Sequence, residues 1–152
     1  MNSRKIRIEI NSLMRKLLEE NQIEVLAFSP KAIPRYLKKY LNIKFVEKYK
    51  YYTYKGNHIE QFWNDDTGNE FSNNKIVINN SEKKSLVTAL SFAHNLCKVL
   101  ATLNSSFKVF VSFDGCYYTI SFFQIRSNNT FFEENIDSYE EEAILLVNIL
   151  TC

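Results

Sequence analysis

Apolar residues recur at helical spacing between residues 82 and 103. Leu86, Leu90, Ala93, Cys97 and Leu100 form one stripe, and Val87, Leu96, Val99 and Leu103 widen it. This pattern predicts a long, mostly buried helix, with Ser81 or Asn80 placed to cap its start. The period then changes to two. FKVFVSF (107–113) and CYYTISFFQIR (116–126) alternate around Asp114–Gly115, a pair suited to a two-residue hairpin turn. Such a turn would set Phe113 opposite Cys116, Val111 opposite Tyr118, Val109 opposite Ile120 and Phe107 opposite Phe122, all on one face. The other face carries Phe110, Tyr117, Phe123 and Ile125, and calls for a covering element or a second molecule. AILLVNI (143–149) does not alternate and reads as an interior strand buried on both faces.

The first half is less regular. Ile6, Ile10, Leu13 and Leu17 step by four, three and four, which predicts an amphipathic helix, although RIEI alone also reads as a short strand. IEVLAF (23–28) is β-rich. Pro34 is placed to open a helix striped by Ile33, Leu37 and Leu41. KFVEKYKYYTYKG (44–56) reads as one strand ending at Gly56. Residues 58–74 read as a short helix or turn followed by a long polar loop, and KIVINN (75–80) as a brief strand. The fold class expected is α+β in a single domain, 1–152. It has a mainly antiparallel twisted sheet packed against helices, including the long buried helix at about 82–103.

A chain of 152 residues, 45% hydrophobic and 24% charged, is large enough to fold on its core without a metal or disulfide. The three cysteines, Cys97, Cys116 and Cys152, form no CxxC and suggest no zinc site. The N-terminal residues lack an apolar leader, and AILLV is far short of the ~20 residues that span a bilayer. A cytoplasmic bacterial protein with no membrane contact is expected. Net charge is +2 but uneven: residues 1–57 hold thirteen Lys/Arg against five Asp/Glu, and residues 58–152 hold six against twelve. Such asymmetry implies either a basic and an acidic face or two halves that attract each other.

Catalytic patterns are weak. His58 and His94 stand far apart, and three scattered glycines make neither a phosphate loop nor a dinucleotide fingerprint. Asp65, Asp66, Glu82 and Lys84 could be assembled into a metal-dependent nuclease, but acidic residues near a helix start are explained by the helix dipole. No catalytic residue, cofactor or metal is assigned, and the chain reads as a non-enzyme. Nucleic-acid binding is the alternative. Residues 44–56 interleave Lys44, Lys48, Lys50 and Lys55 with Tyr49, Tyr51, Tyr52 and Tyr54, as single-strand binders do. An edge strand protected by lysines explains the same pattern.

The remaining feature is FFEENIDSYEEEAILLVNIL. It holds Glu133, Glu134, Asp137, Glu140, Glu141 and Glu142, with no Lys or Arg from Ser127 to Cys152. Residues 119–149 resemble the C-terminal portion of immunity proteins from bacterial contact-dependent growth inhibition and related polymorphic toxin systems. The resemblance rests on a strand ending in FFQIR, the aromatic-acidic segment FFEENIDSY, and the closing EEAILLVNI. It implies a non-enzymatic inhibitor that binds and neutralises the C-terminal toxin domain of a cognate effector, commonly a basic nuclease. Glu133, Glu134, Asp137, Tyr139 and Glu141 are then the expected toxin-binding residues. Charge reversal at Glu134, Asp137 and Glu141 is expected to weaken binding and spare the fold. Structural roles compete: Tyr139 with Phe131 or Phe132 could pin the segment to the sheet, and Arg126 could pair with one of its glutamates.

Overall fold

The computed structural model of the chain describes residues 5–61, 65–80, 84–126 and 136–151. The period-two segments pair into one antiparallel sheet of five strands: β1 (Lys5–Ile10), β4 (Ile76–Asn79), β5 (Phe107–Phe113), β6 (Tyr117–Gln124) and β7 (Ala143–Leu150). Their order is β1-β7-β5-β6-β4, so β7 is interior and β5 central. Helix α4 (Ser85–Ala101) lies on one face. There Phe92, Leu96 and Leu100 join Phe107, Val109, Ile120, Phe122, Leu145 and Ile149 in the main core. The architecture is α+β.

The other face has its own cover. Phe71, on α3 (Asp66–Asn73), meets Phe110 and Phe123 edge-on at centroid distances of 5.4 and 6.2 Å. Ile136 and Tyr139 pack beside them on Ile144 and Leu146. This cover is why β7 is apolar at consecutive positions, and it conceals the outer-face Phe110 and Phe123 of the hairpin; Tyr117 and Ile125 remain exposed.

Several elements differ from the sequence reading. The opening segment is a strand followed by a helix, α1 (Ser12–Glu20). Asn11 ends the strand and caps the helix, its Oδ1 accepting from Met14 N at 2.9 Å. Spacing misled because Ile6 and Ile10, four apart, share a face in a strand as well as in a helix. Residues 25–27 form a single 3-10 turn, not a strand. The short helix α2 (Arg35–Lys38) begins directly after Pro34.

Residues 44–56 do not make one strand. They fold back as β2 (Lys44–Val46) and β3 (Tyr51–Thr53), a separate two-stranded sheet. Lys50 takes φ +60° at the turn, and its N–H donates to Val46 O at 2.8 Å. The polar segment after residue 65 contains α3, where a loop was expected. Asp65 caps that helix by accepting from Gly68 N at 2.5 Å.

The β5–β6 hairpin is real, but its register differs by two residues. Phe113 faces Tyr118, Val111 faces Ile120, and Val109 faces Phe122. The Asp114 carboxylate accepts from both Cys116 N and Tyr117 N at 2.8 Å, and Gly115 takes φ +102°, so the loop is longer than a two-residue turn. A two-residue shift keeps every side chain on its own face.

Candidate functional site

The acidic segment enters β7 across the start of α1, where backbone N–H groups lack intrahelical partners. Asp137 Oδ1 accepts from Ser12 N at 2.5 Å and from Ser12 Oγ at 2.8 Å. These bonds, the backbone one foremost, hold the Asp137 carboxyl below its ordinary range, with Arg15 adding charge. Asn11, 1% exposed, completes the junction. Its Oδ1 also accepts from Ile144 N at 2.9 Å, and its Nδ2 donates to Glu142 O at 2.8 Å. Part of the acidic block therefore neutralises a helix terminus.

The five residues expected to bind a toxin are dispersed in role. Glu133 and Glu134 lie outside the described residues, as do Phe131 and Phe132. Asp137 is exposed but accepts two hydrogen bonds from Ser12, so its charge reversal would also act on the start of α1. Tyr139 is half-buried against the second core. Glu141 is exposed on a groove of about 290 Å³.

That groove brings together residues the sequence keeps apart. Leu13, Leu17, Phe113 and Ala143 line its apolar part, while Glu20, Asp114 and Glu141 supply carboxylates and Lys16 one cation. Glu20 comes from the end of α1, Asp114 from the hairpin turn and Glu141 from the approach to β7. Pairing of Phe113 with Ala143 sets the turn beside Glu141. Glu20 and Asp114 were missed because no short-range pattern announces the β5–β7 pairing that gathers them. Asp114 is held below the ordinary carboxyl range by the Tyr117 and Cys116 amides.

Arg126 pairs outside the acidic block. Its Nη1 donates to Glu70 Oε1 at 3.0 Å, and the Glu70 side chain is 0% exposed. Glu70 Oε1 also accepts from Gln124 N at 2.5 Å, and its Oε2 from Tyr52 N at 3.2 Å. One carboxylate thus ties α3 to both sheets. Asn73 adds to the joint: its Nδ2 donates to Glu60 O at 2.6 Å, and its Oδ1 accepts from Glu60 N at 2.9 Å. Among the described residues the ion pairs are Arg126–Glu70 and Lys50–Glu47, each within its own half of the chain. The two halves are therefore not joined by ion pairs among those residues.

The tyrosines of 49–54 are largely committed to packing. Tyr51 is 2% exposed and its hydroxyl donates to Asp66 Oδ1 at 3.1 Å. Burial first, and Asp66 second, push it up to about 12. Tyr54 packs edge-on against Tyr40 at 4.7 Å. Lys48 and Lys50 are exposed, Lys48 Nζ lying 5.3 Å from the Tyr49 ring centroid and Lys50 paired with Glu47. Of the nuclease set, Asp65 caps α3, Asp66 holds Tyr51, Lys84 precedes α4 and Glu82 lies outside the described residues. Among the described residues no group of three or more His, Cys, Asp or Glu is arranged to hold a metal, and no helix is long and apolar enough to cross a membrane.

The model of the Uncharacterized protein PM0498 family matches residues 9–152, and the chain belongs to that family. No curated protein matches the chain, and no solved structure does.

Proposed function

We propose that this member of the PM0498 family is a non-catalytic binding protein. In this reading it neutralises a basic protein partner, the toxin domain of a polymorphic toxin system, as the resemblance of residues 119–149 implies. The observation that carries the reading is the convergence of Glu20, Asp114 and Glu141 from three segments around one apolar-lined groove. Three carboxylates against the single cation of Lys16 leave the rim of this apolar groove acidic, which suits a basic partner, with the charges accelerating encounter and the apolar part retaining it. A cytoplasmic site of action in the bacterium that makes the toxin belongs to the same proposal. The nucleic-acid alternative receives less support, because Tyr51 is inside the protein.

The test is co-expression with the product of the gene immediately upstream, scored by rescue from toxicity and by co-purification at low and high salt. A combined Glu20→Lys, Glu141→Lys and Asp114→Asn variant keeps an acceptor for the turn amides. It should slow association by roughly tenfold at low salt and flatten its salt dependence. A complex whose formation rate is unchanged in this variant would remove the groove from the mechanism. Neither toxicity nor complex with the wild-type chain would remove the toxin reading itself.

A further inference from the structure

Strand β1 forms one end of the five-stranded sheet. Asn11 N donates to Ile144 O, which continues the β1–β7 ladder one residue beyond Ile10. Hydrogen-bonded positions alternate in an antiparallel pair, so Glu9, Arg7 and Lys5 point their backbone groups at β7. Ile10, Ile8 and Ile6 point theirs outward, where no described strand receives them.

This edge differs from the opposite one. Strand β4 has four residues, while β1 has six. Ile6 is 54% exposed and Ile8 37%, both on the α4 side of the sheet. They border an apolar groove of about 360 Å³ shared with Leu26, Leu90, Ala93 and Cys97. Leu26 is itself 94% exposed. A long apolar edge of this kind invites another strand.

Charge selects the occupant. On the face away from α4, β1 carries Lys5, Arg7 and Glu9. Consider two copies pairing antiparallel about a two-fold axis, with side chains of like character on the same face. Centring the axis on Arg7 would oppose two arginines. Centring it on Ile8 sets Arg7 against the partner's Glu9 twice and Ile6 against the partner's Ile10 twice. In that register the outward backbone groups of Ile6, Ile8 and Ile10 face one another, and Arg7 and the partner's Glu9 occupy the closer, non-hydrogen-bonded positions. We propose that β1 is a self-association edge: two copies of the chain pair through it in the Ile8-centred register and join their sheets into one. The proposal is independent of the toxin reading, and no residue of β1 lines the acidic groove.

The experiment is sedimentation equilibrium on the whole chain over a range of concentrations. The wild type should pass from 17.9 kDa to twice that mass. Arg7→Glu opposes two glutamates on each side of the axis, and Glu9→Arg opposes two arginines. Each alone should weaken the dimer by roughly tenfold or more. Mixed together, the two variants should form a heterodimer, because every cross-strand pair is then of opposite sign. That rescue also shows that both variants are folded. A wild type that stays at 17.9 kDa throughout would overturn the proposal, leaving the edge to a foreign strand. Single variants that dimerise as well as the wild type, or that fail to associate when mixed, would overturn it as well.

Discussion

Glu70 makes more buried hydrogen bonds than any described residue of the acidic block. Its carboxylate is fully enclosed, yet it is met by the Arg126 guanidinium, two backbone amides and the Gln124 side chain at 3.1 Å. Removing one partner of such a pair leaves the others desolvated and unpaired. Glu70→Ala should therefore destabilise the protein by about 3 kcal/mol in urea unfolding, near the low end for buried pairs because Arg126 keeps some contact with water. Asp137 and Asp114 act at the surface through amide hydrogen bonds that lower their carboxyl pKa values from 3.8. A depressed folded value means that their stabilisation is complete above the unfolded pKa and is lost as pH falls through the folded one. Urea unfolding between about pH 5 and about pH 2 should show this acid loss, and Asp137→Asn should reduce it. Tyr51 has the opposite sign: raised to about 12 in the folded protein, it stabilises below the ordinary pKa of 10.0 and ceases to as pH rises through 12. Its phenolate absorbance should appear together with alkaline unfolding.

At the scale of elements, α4 and the β5–β6 hairpin were legible because their apolar periods are long and unbroken. The loop of that hairpin was not. Face alternation repeats every two residues, so it could not distinguish the register set by the Asp114 hydrogen bonds from one two residues away. Gly115 at φ +102° is the mark of the actual loop, and Gly115→Ala should cost about 1 kcal/mol in chemical unfolding although nothing crowds the site. Helix α3 was unreadable for a different reason. Its buried side chains are Thr67, Asn69, Glu70 and Asn73, so it faces inward with polar groups and carries no apolar stripe. The acidic block was visible from its composition alone, whereas Glu20 and Asp114 join Glu141 only through pairings made across the whole chain. The lysine–tyrosine segment looked continuous because Glu47, Lys48 and Lys50 are as polar as the solvent face of a strand; the positive φ of Lys50 is not written in that pattern.

For the molecule as a whole, the strand that completes the sheet is made last among those described. β7 lies between β1 and β5, and Asn11 bonds to Ile144 across a separation of 133 residues. Every earlier hairpin can form as the chain emerges, but β1 has no neighbour until residues 143–150 are available. During synthesis on the ribosome, β1 and the inner edge of β5 therefore wait with unsatisfied backbone groups, which favours late, cooperative closure over stepwise growth. A nascent chain stopped before residue 143 holds two sheet edges that the finished protein does not, and such an intermediate is the form a chaperone would recognise.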